Sequence, residues 1–242
     1  MNLSRRKDRP LAGPMAVIRA FAWMFRPAVG KWVLIPLLIN LSLFALAFWM
    51  LYQKIGGWID WLIPDILELF SALLWPILVL GILIILFYVS SILANLIAAP
   101  FNQYLSRAVA REMGLEDKLE SENNSLLNEI AQAFGAEIRK LIYLSSRAVP
   151  LLVLFLIPVL NIAAPFLWLL FAAWALAVEY ADYPLGLSGV KFDELRSMLG
   201  EQRFMSLGFG GSVLFLTLTP VLNFIAMPVA VIAATLLWVE DS

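Results

Sequence analysis

The sequence predicts an all-α integral membrane protein: two long transmembrane helices, two re-entrant (hemi-penetrating) helix hairpins and an N-terminal amphipathic interfacial helix. Three observations lead there. First, four stretches carry no Asp, Glu, Lys or Arg: Trp32 to Gln53, Leu69 to Ser106, Ala148 to Val178 and Phe204 to Val239, of 22, 38, 31 and 36 residues. About 20 apolar residues suffice to cross a bilayer core. Second, only 14% of the 242 residues are charged and 62% are hydrophobic, where soluble domains carry about 25% charge. Third, two of the four stretches are interrupted in the same way, by "IPVLNIAAP" at 157–165 and "TPVLNFIAMP" at 219–228.

The whole chain, 1–242, reads as one membrane domain. Residues 1–31 hold seven Lys/Arg and one Asp. Arg19 and Arg26 lie seven apart among Met, Val, Ile, Phe and Trp, which reads as an amphipathic helix in the membrane interface ending near Pro27. A cytoplasmic helix docked on the protein fits the same pattern. The basic start interrupted by arginines does not resemble a cleaved signal peptide, so the N-terminus is expected to be retained. The long helices are assigned to 32–53 and 71–105, with a loop from Gln53 to Glu68 between them. Residues 107–147 hold six basic and seven acidic residues and read as a cytoplasmic helical region, either a hairpin or an extension of the neighbouring spans. Within it Leu126, Leu127, Ile130, Phe134, Ile138, Leu141 and Ile142 share one helical stripe.

The stretches 148–178 and 204–239 are assigned as the re-entrant hairpins. An interior proline costs a helix about 3 kcal/mol or more, and each stretch has prolines at its middle. Two arms of about ten to thirteen residues reach only 15–20 Å, enough to enter and return. Charge supports this. Re-entrant hairpins put the 179–203 loop, with its three Lys/Arg, on the cytoplasmic side, which then holds 16 of the 17 basic residues; full crossings leave 13 there. The positive-inside rule favours the first arrangement, and either puts both termini in the cytoplasm. Returning arms starting near Pro165 and Pro228 would turn N–H groups and a positive dipole end inward. Broken helices at membrane depth line hydrated or packed interiors. Asn161 and Asn223, equivalent in the two repeats, are therefore pore or apex candidates, with turn-packing as the alternative.

The sequence has no Cys and no His, which removes disulfides, thiolate sites and the commonest metal ligand and acid/base group. No metal or cofactor is expected, no catalytic residue is assigned, and nucleic acid is not an expected partner. No phosphate-binding loop is present, and "GFGG" at 208–211 lacks the spacing of a dinucleotide fingerprint. Glu179 and Asp182 read as interface carboxylates or as a coupling site. A channel-like or weakly coupled transporter is the simplest function.

The motifs "LIPLLIN" (34–40), "NLIAAPFN" (95–102), "IPVLNIAAPFLW" (157–168), "ADYP" (181–184) and "TPVLNFIAMPVAV" (219–231) together resemble the CysZ family of bacterial sulfate permeases over nearly the whole chain. The resemblance implies the same two long helices and two hemi-penetrating pairs. It also implies a dimer-based homo-oligomer in the inner membrane, importing sulfate for cysteine biosynthesis. The family's sulfate site is associated with a Gly-Leu-Arg-Arg-like stretch at the start of the first long helix. The corresponding stretch here is Ala28-Val29-Gly30-Lys31, preceded by Arg26 and Pro27. One arginine has become glycine and the other lysine. The sulfate-binding residues expected from this resemblance are Arg26, Ala28, Val29, Gly30 and Lys31. A non-transporting membrane assembly or scaffold protein, or a permease for another small anion, is the alternative.

Overall fold

The computed structural model describes residues 8–62, 76–81, 101–115 and 126–238. All regular structure among them is helical: α1 (Ala12–Met24), α2 (Pro27–Leu62), a segment at 76–81, α3 (101–112), α4 (Leu126–Leu154), a 3-10 turn (Leu160–Ile162), α5 (Ala164–Leu187), α6 (Phe192–Glu201), α7 (Arg203–Leu218) and α8 (Pro220–Trp238). The chain divides into two units, residues 1–31 with 102–242, and residues 32–101.

In the second unit α2 continues well past Gln53. The helix holds 36 residues, about 54 Å, so the first nine positions of the expected loop are helical. Once a helix is formed each further residue adds a hydrogen bond, and no proline intervenes between Pro36 and Leu62. Gly56 and Gly57 cost only about 1 kcal/mol each. Leu34, Leu38, Leu41, Phe48 and Trp49 are all exposed along it. The expected second long helix, 71–105, lies outside the described residues apart from 76–81 and 101–105, both helical.

The first unit is built around α7. Its residues Gly208 and Gly210 are contact points for two different helices. A Cβ at Gly208 would stand 2.8 Å from the Pro10 carbonyl oxygen, and one at Gly210 would collide with the Ala173 carbonyl of α5. Gly13 of α1 is pressed just as tightly against the backbone of Met205 and Phe209. The "GFGG" sequence is thus a packing device: small residues let helix backbones approach closely. Phe209 between the glycines is fully buried and meets the Trp238 ring edge-on at 5.2 Å. That contact sets Phe209, midway along α7, against the last residue of α8. The end of α8 is the core, with Val229 through Trp238 all buried.

α1 docks on α7 and α8 through Gly13, Ala16, Val17 and Ala20. Its outward face carries Leu11, Met15 and Ile18, all strongly exposed. Just before it, Asp8 accepts hydrogen bonds from the Phe204 and Met205 N–H groups at 2.8 and 2.9 Å, capping α7 from a distant part of the chain.

α4 runs without interruption across Arg147–Ala148, where the polar region meets the uncharged stretch, and contains Pro150. The part of the polar region in α4 is thus continuous with the start of the uncharged stretch, while 116–125 lie outside the described residues. The described members of its apolar stripe, Ile138, Leu141 and Ile142, face outward and are exposed, whereas Lys140 is buried. α4 and α5 are antiparallel: Phe155 meets Trp168 near the break at 6.3 Å, and Trp174 Nε1–H donates to Tyr143 Oη at 3.0 Å further down.

The two repeats begin alike and then diverge. In each, the Asn N–H donates to the carbonyl four residues back, Asn161 to Ile157 at 3.0 Å and Asn223 to Thr219 at 2.8 Å. The first repeat then leaves helical geometry. Val159 takes φ 72, ψ −48, an uncommon conformation for a β-branched residue, and α5 restarts with Pro165 in its first turn. In the second repeat the break is one extended residue, Thr219, and α8 starts at Pro220. The expected restart near Pro228 is thus corrected: Pro228 lies inside α8. Pro220 takes the first helical position, where its missing N–H costs nothing.

Candidate functional site

The sequence-expected anion residues surround the α1–α2 junction. The Arg26 N–H donates to the Trp23 carbonyl at 3.0 Å, and the Arg26 carbonyl accepts from the Val29 and Gly30 N–H groups at 3.0 and 2.7 Å. This tight exchange ends α1 and begins α2. It also engages the N–H of Gly30, one of the expected sulfate-binding residues, within the chain. Val29 is fully buried and serves packing. Ala28 and Lys31 are exposed and Gly30 is partly so. A Cβ at Gly30 would stand 3.1 Å from the Met24 carbonyl oxygen, so the glycine keeps the junction narrow.

The Arg26 side chain is held from two sides. Its guanidinium lies 3.6 Å from the Trp23 ring centroid, and its Nη1 is 3.8 Å from Glu112 Oε1 at the end of α3. Both charged side chains remain roughly half exposed. The stack fixes the plane of the fork, and the carboxylate offsets its charge. Arg26 and Lys31 therefore flank the start of α2, whose dipole end adds to their field.

A second polar group occupies the first unit; the sequence pointed to its carboxylates, Glu179 and Asp182, but not to the lysine between them. Lys140 Nζ on α4 lies 2.9 Å from Glu179 Oε2 and 3.4 Å from Asp182 Oδ2 on α5. The lysine side chain is only 5% exposed, so its ammonium is neutralised where water is scarce. The next residue, Tyr183, accepts a hydrogen bond from Asn102 Nδ2 at 3.3 Å. Two of the family-like motifs, ending at Asn102 and containing Asp182-Tyr183, are thus brought together. Ser106 and Thr235 share a buried hydroxyl contact at 2.9 Å near the same helices. Asn161 and Asn223 lie apart from this cluster; both are exposed, one in the 3-10 turn and one in the first turn of α8.

Among the described residues no group of three or more His, Cys, Asp or Glu could hold a metal ion. The family model described as "Sulfate transporter CysZ/Etoposide-induced protein 2.4" matches residues 16–228. A protein of Pseudomonas paraeruginosa named "Sulfate transporter CysZ" is 38% identical over 235 residues, 96% of each chain. Proteins of the same name from Vibrio atlanticus and Pectobacterium atrosepticum are 40% and 38% identical, covering 89% and 88% of this chain and 87% and 79% of their own. With a family model spanning most of its length and relatives aligned nearly end to end, the chain belongs to the Sulfate transporter CysZ/Etoposide-induced protein 2.4 family.

Proposed function

We propose that this protein is a sulfate transporter of the inner membrane, a channel-like permease and not an enzyme, that imports sulfate for cysteine biosynthesis. The observation that carries this reading is the cationic junction in a chain of that family. Arg26, stacked on Trp23, and Lys31 stand at the start of α2. Sulfate is a strongly hydrated dianion, and stripping even one charge of water costs tens of kcal/mol by Born estimates. A path must substitute cations, N–H groups and hydroxyls for that water. Arg26 and Lys31 form the capture site, with Ala28 and Gly30 supplying the narrow, side-chain-poor backbone between them. Glu112 holds Arg26 when no anion is present and is displaced by one.

In the membrane, α2 and the chain of 71–105 cross fully. The α4–α5 and α7–α8 pairs enter from the cytoplasm and return, with Asn161 and Asn223 at their apices. The exposed apolar residues support lipid contact: Leu152, Val153 and Leu156 of the first pair, and Phe166, Leu169 and Leu170 opposite. Serine and threonine hydroxyls support it too, since Ser212 and Thr217 donate to carbonyls four residues back and so bring no orphan donors into lipid. α5 is long and apolar enough to cross a membrane, but Glu179 and Asp182 shorten its uncharged part to 164–178, about 22 Å. α1 lies at the cytoplasmic interface with Leu11, Met15 and Ile18 toward lipid. Both termini are cytoplasmic, and the working form is a dimer-based homo-oligomer.

The test is uptake of radiolabelled sulfate into proteoliposomes that hold only this protein. Time-dependent uptake above protein-free vesicles supports the reading. Absence of uptake with correctly folded protein would return it to a scaffold, and uptake of other oxyanions but not sulfate would make it a different anion permease.

A further inference from the structure

An open cavity of about 550 Å³ lies between α4, α5 and α7, away from the α1–α2 junction. Its walls change character along α4. Tyr143, Ser146 and Arg147 line one end, and Arg147 is the last charged residue before the uncharged stretch; Leu151 lines the other, with Leu170 and Phe171 opposite it on α5. At the polar end two guanidiniums converge on one ring. Arg147 lies 3.7 Å and Arg196, from α6, 5.3 Å from the Tyr143 centroid. Arg147 Nη1 also donates to the Tyr143 carbonyl at 3.1 Å and to Ser146 Oγ at 3.4 Å. Asp193 stands 4.0 Å from Arg196 and offsets part of that charge. Tyr143 is itself fixed by the Trp174 N–H and by an edge contact with Phe192 at 5.6 Å.

We infer that this cavity is a binding site for an anionic phospholipid, with the phosphate against Arg147 at its polar end and an acyl chain along Leu151, Leu170 and Phe171; Arg196, beside the cavity on the same Tyr143 ring, adds its charge to that end. A site for a small inorganic anion has no use for the apolar wall, and a site for a neutral apolar molecule has no use for two guanidiniums on one ring. An anionic headgroup joined to hydrocarbon uses both, as an anionic phospholipid does, and hydrogen-bonded Tyr and Trp at such a boundary are typical of the lipid headgroup level. The inference rests on the membrane placement proposed above, but not on sulfate being the cargo.

The experiment uses the full chain, purified in detergent, titrated with dioleoyl phosphatidylglycerol, dioleoyl phosphatidylcholine or inorganic phosphate, with binding read by native mass spectrometry and thermal unfolding. Phosphatidylglycerol is expected to bind at least tenfold more tightly than phosphatidylcholine. The R147Q/R196Q double variant should lose that preference while keeping its lipid-free Tm. Leu151→Trp, which fills the apolar end and leaves both arginines, should weaken phosphatidylglycerol binding severalfold. Equal binding of the two lipids, an undiminished preference in R147Q/R196Q, or undiminished phosphatidylglycerol binding in Leu151→Trp overturns the inference. A thermal shift that inorganic phosphate reproduces in full also overturns it, leaving a free-anion site. Binding is read without flux, so a failed sulfate uptake assay and a failed lipid site are separate results.

Discussion

Lys140 of α4 and Glu179 of α5 meet at 2.9 Å, with the lysine buried and the carboxylate partly open to solvent. Asp182 completes the clamp at 3.4 Å. The helix pair is thus tied at its polar end by charge and near its break by the Phe155–Trp168 rings. Removing the lysine leaves two carboxylates side by side. Because both acids are partly exposed, the loss falls below that of a fully buried pair, at about 1–3 kcal/mol. Lys140→Met should lower Tm by several degrees. Adding Glu179→Gln and Asp182→Asn to that variant should recover part of the loss. A triple variant whose deficit is the sum of the separate ones would show that the three do not act as a unit.

Gly210 and Gly211 are neighbours with opposite expectations. A methyl group at Gly210 runs into the Ala173 carbonyl, while one at Gly211 meets nothing within 4 Å. Gly210→Ala should cost on the order of 1–3 kcal/mol through forced separation of α5 and α7. Gly211→Ala should add up to about 1 kcal/mol of helix stability. Thermal unfolding of the two proteins in the same detergent makes the comparison, and equal effects would refute the close crossing.

Much of this architecture was legible in the sequence, because proline and periodicity are local signals. The helical class, a break around Pro158 to Pro165 and the restart near Pro165 follow from them, although α4 already ends at Leu154. Pro228 misled because proline marks a helix start only where a better one is not available a few residues earlier; Pro220, preceded by an extended Thr219, was that better start. The roles of Gly208 and Gly210 were not visible, since a glycine pressed on another helix has the same sequence signature as one in a loop. The Lys140 clamp and the Asn102–Tyr183 contact join residues 39 to 81 positions apart, with no periodicity to announce them. At the junction, the basic residues were legible, but the competition from Glu112 and the engagement of the Gly30 N–H were not.

For the capture site, charge loss in an Arg26→Ala, Lys31→Ala double variant should weaken sulfate binding by more than about tenfold, or roughly 1.4 kcal/mol. Glu112→Gln should do the reverse. Removing an exposed competitor worth up to about 1 kcal/mol frees Arg26 and should tighten sulfate binding up to about fivefold. Isothermal titration of folded protein with sulfate reads both, and unchanged affinity in the double variant would take these residues out of the site.

Topology is testable on α6. Ser197 is exposed there, whereas Ser206 nearby is fully buried and unsuited to labelling. A cysteine at Ser197 in this cysteine-free chain should react with a membrane-impermeant maleimide only from the cytoplasmic side. Labelling from the periplasm of intact cells would reject two re-entrant pairs.

At the two apices, Asn→Asp nearly preserves shape but adds charge. Unit charges about 6 Å apart at an effective dielectric near 20 repel by roughly 3 kcal/mol. If Asn161 and Asn223 line the route, Asn→Asp should slow sulfate flux more than Asn→Ala at equal expression and Tm. The opposite order at both positions would leave them as turn residues, since aspartate is itself favoured in turns.

The cap that Asp8 places on α7 joins residues 196 positions apart. Synthesis proceeds from the N-terminus, so α1 is made well before α7 and α8, the helices it docks against. Until then its small-residue face has no mate and the first turn of α7 has no carboxylate. Contacts of such long sequence separation form late and slowly. The segment that carries Asp8 and α1 therefore waits for partners made much later: its fastening forms only once α7 and α8 exist, and a chain cut short before α7 never acquires it.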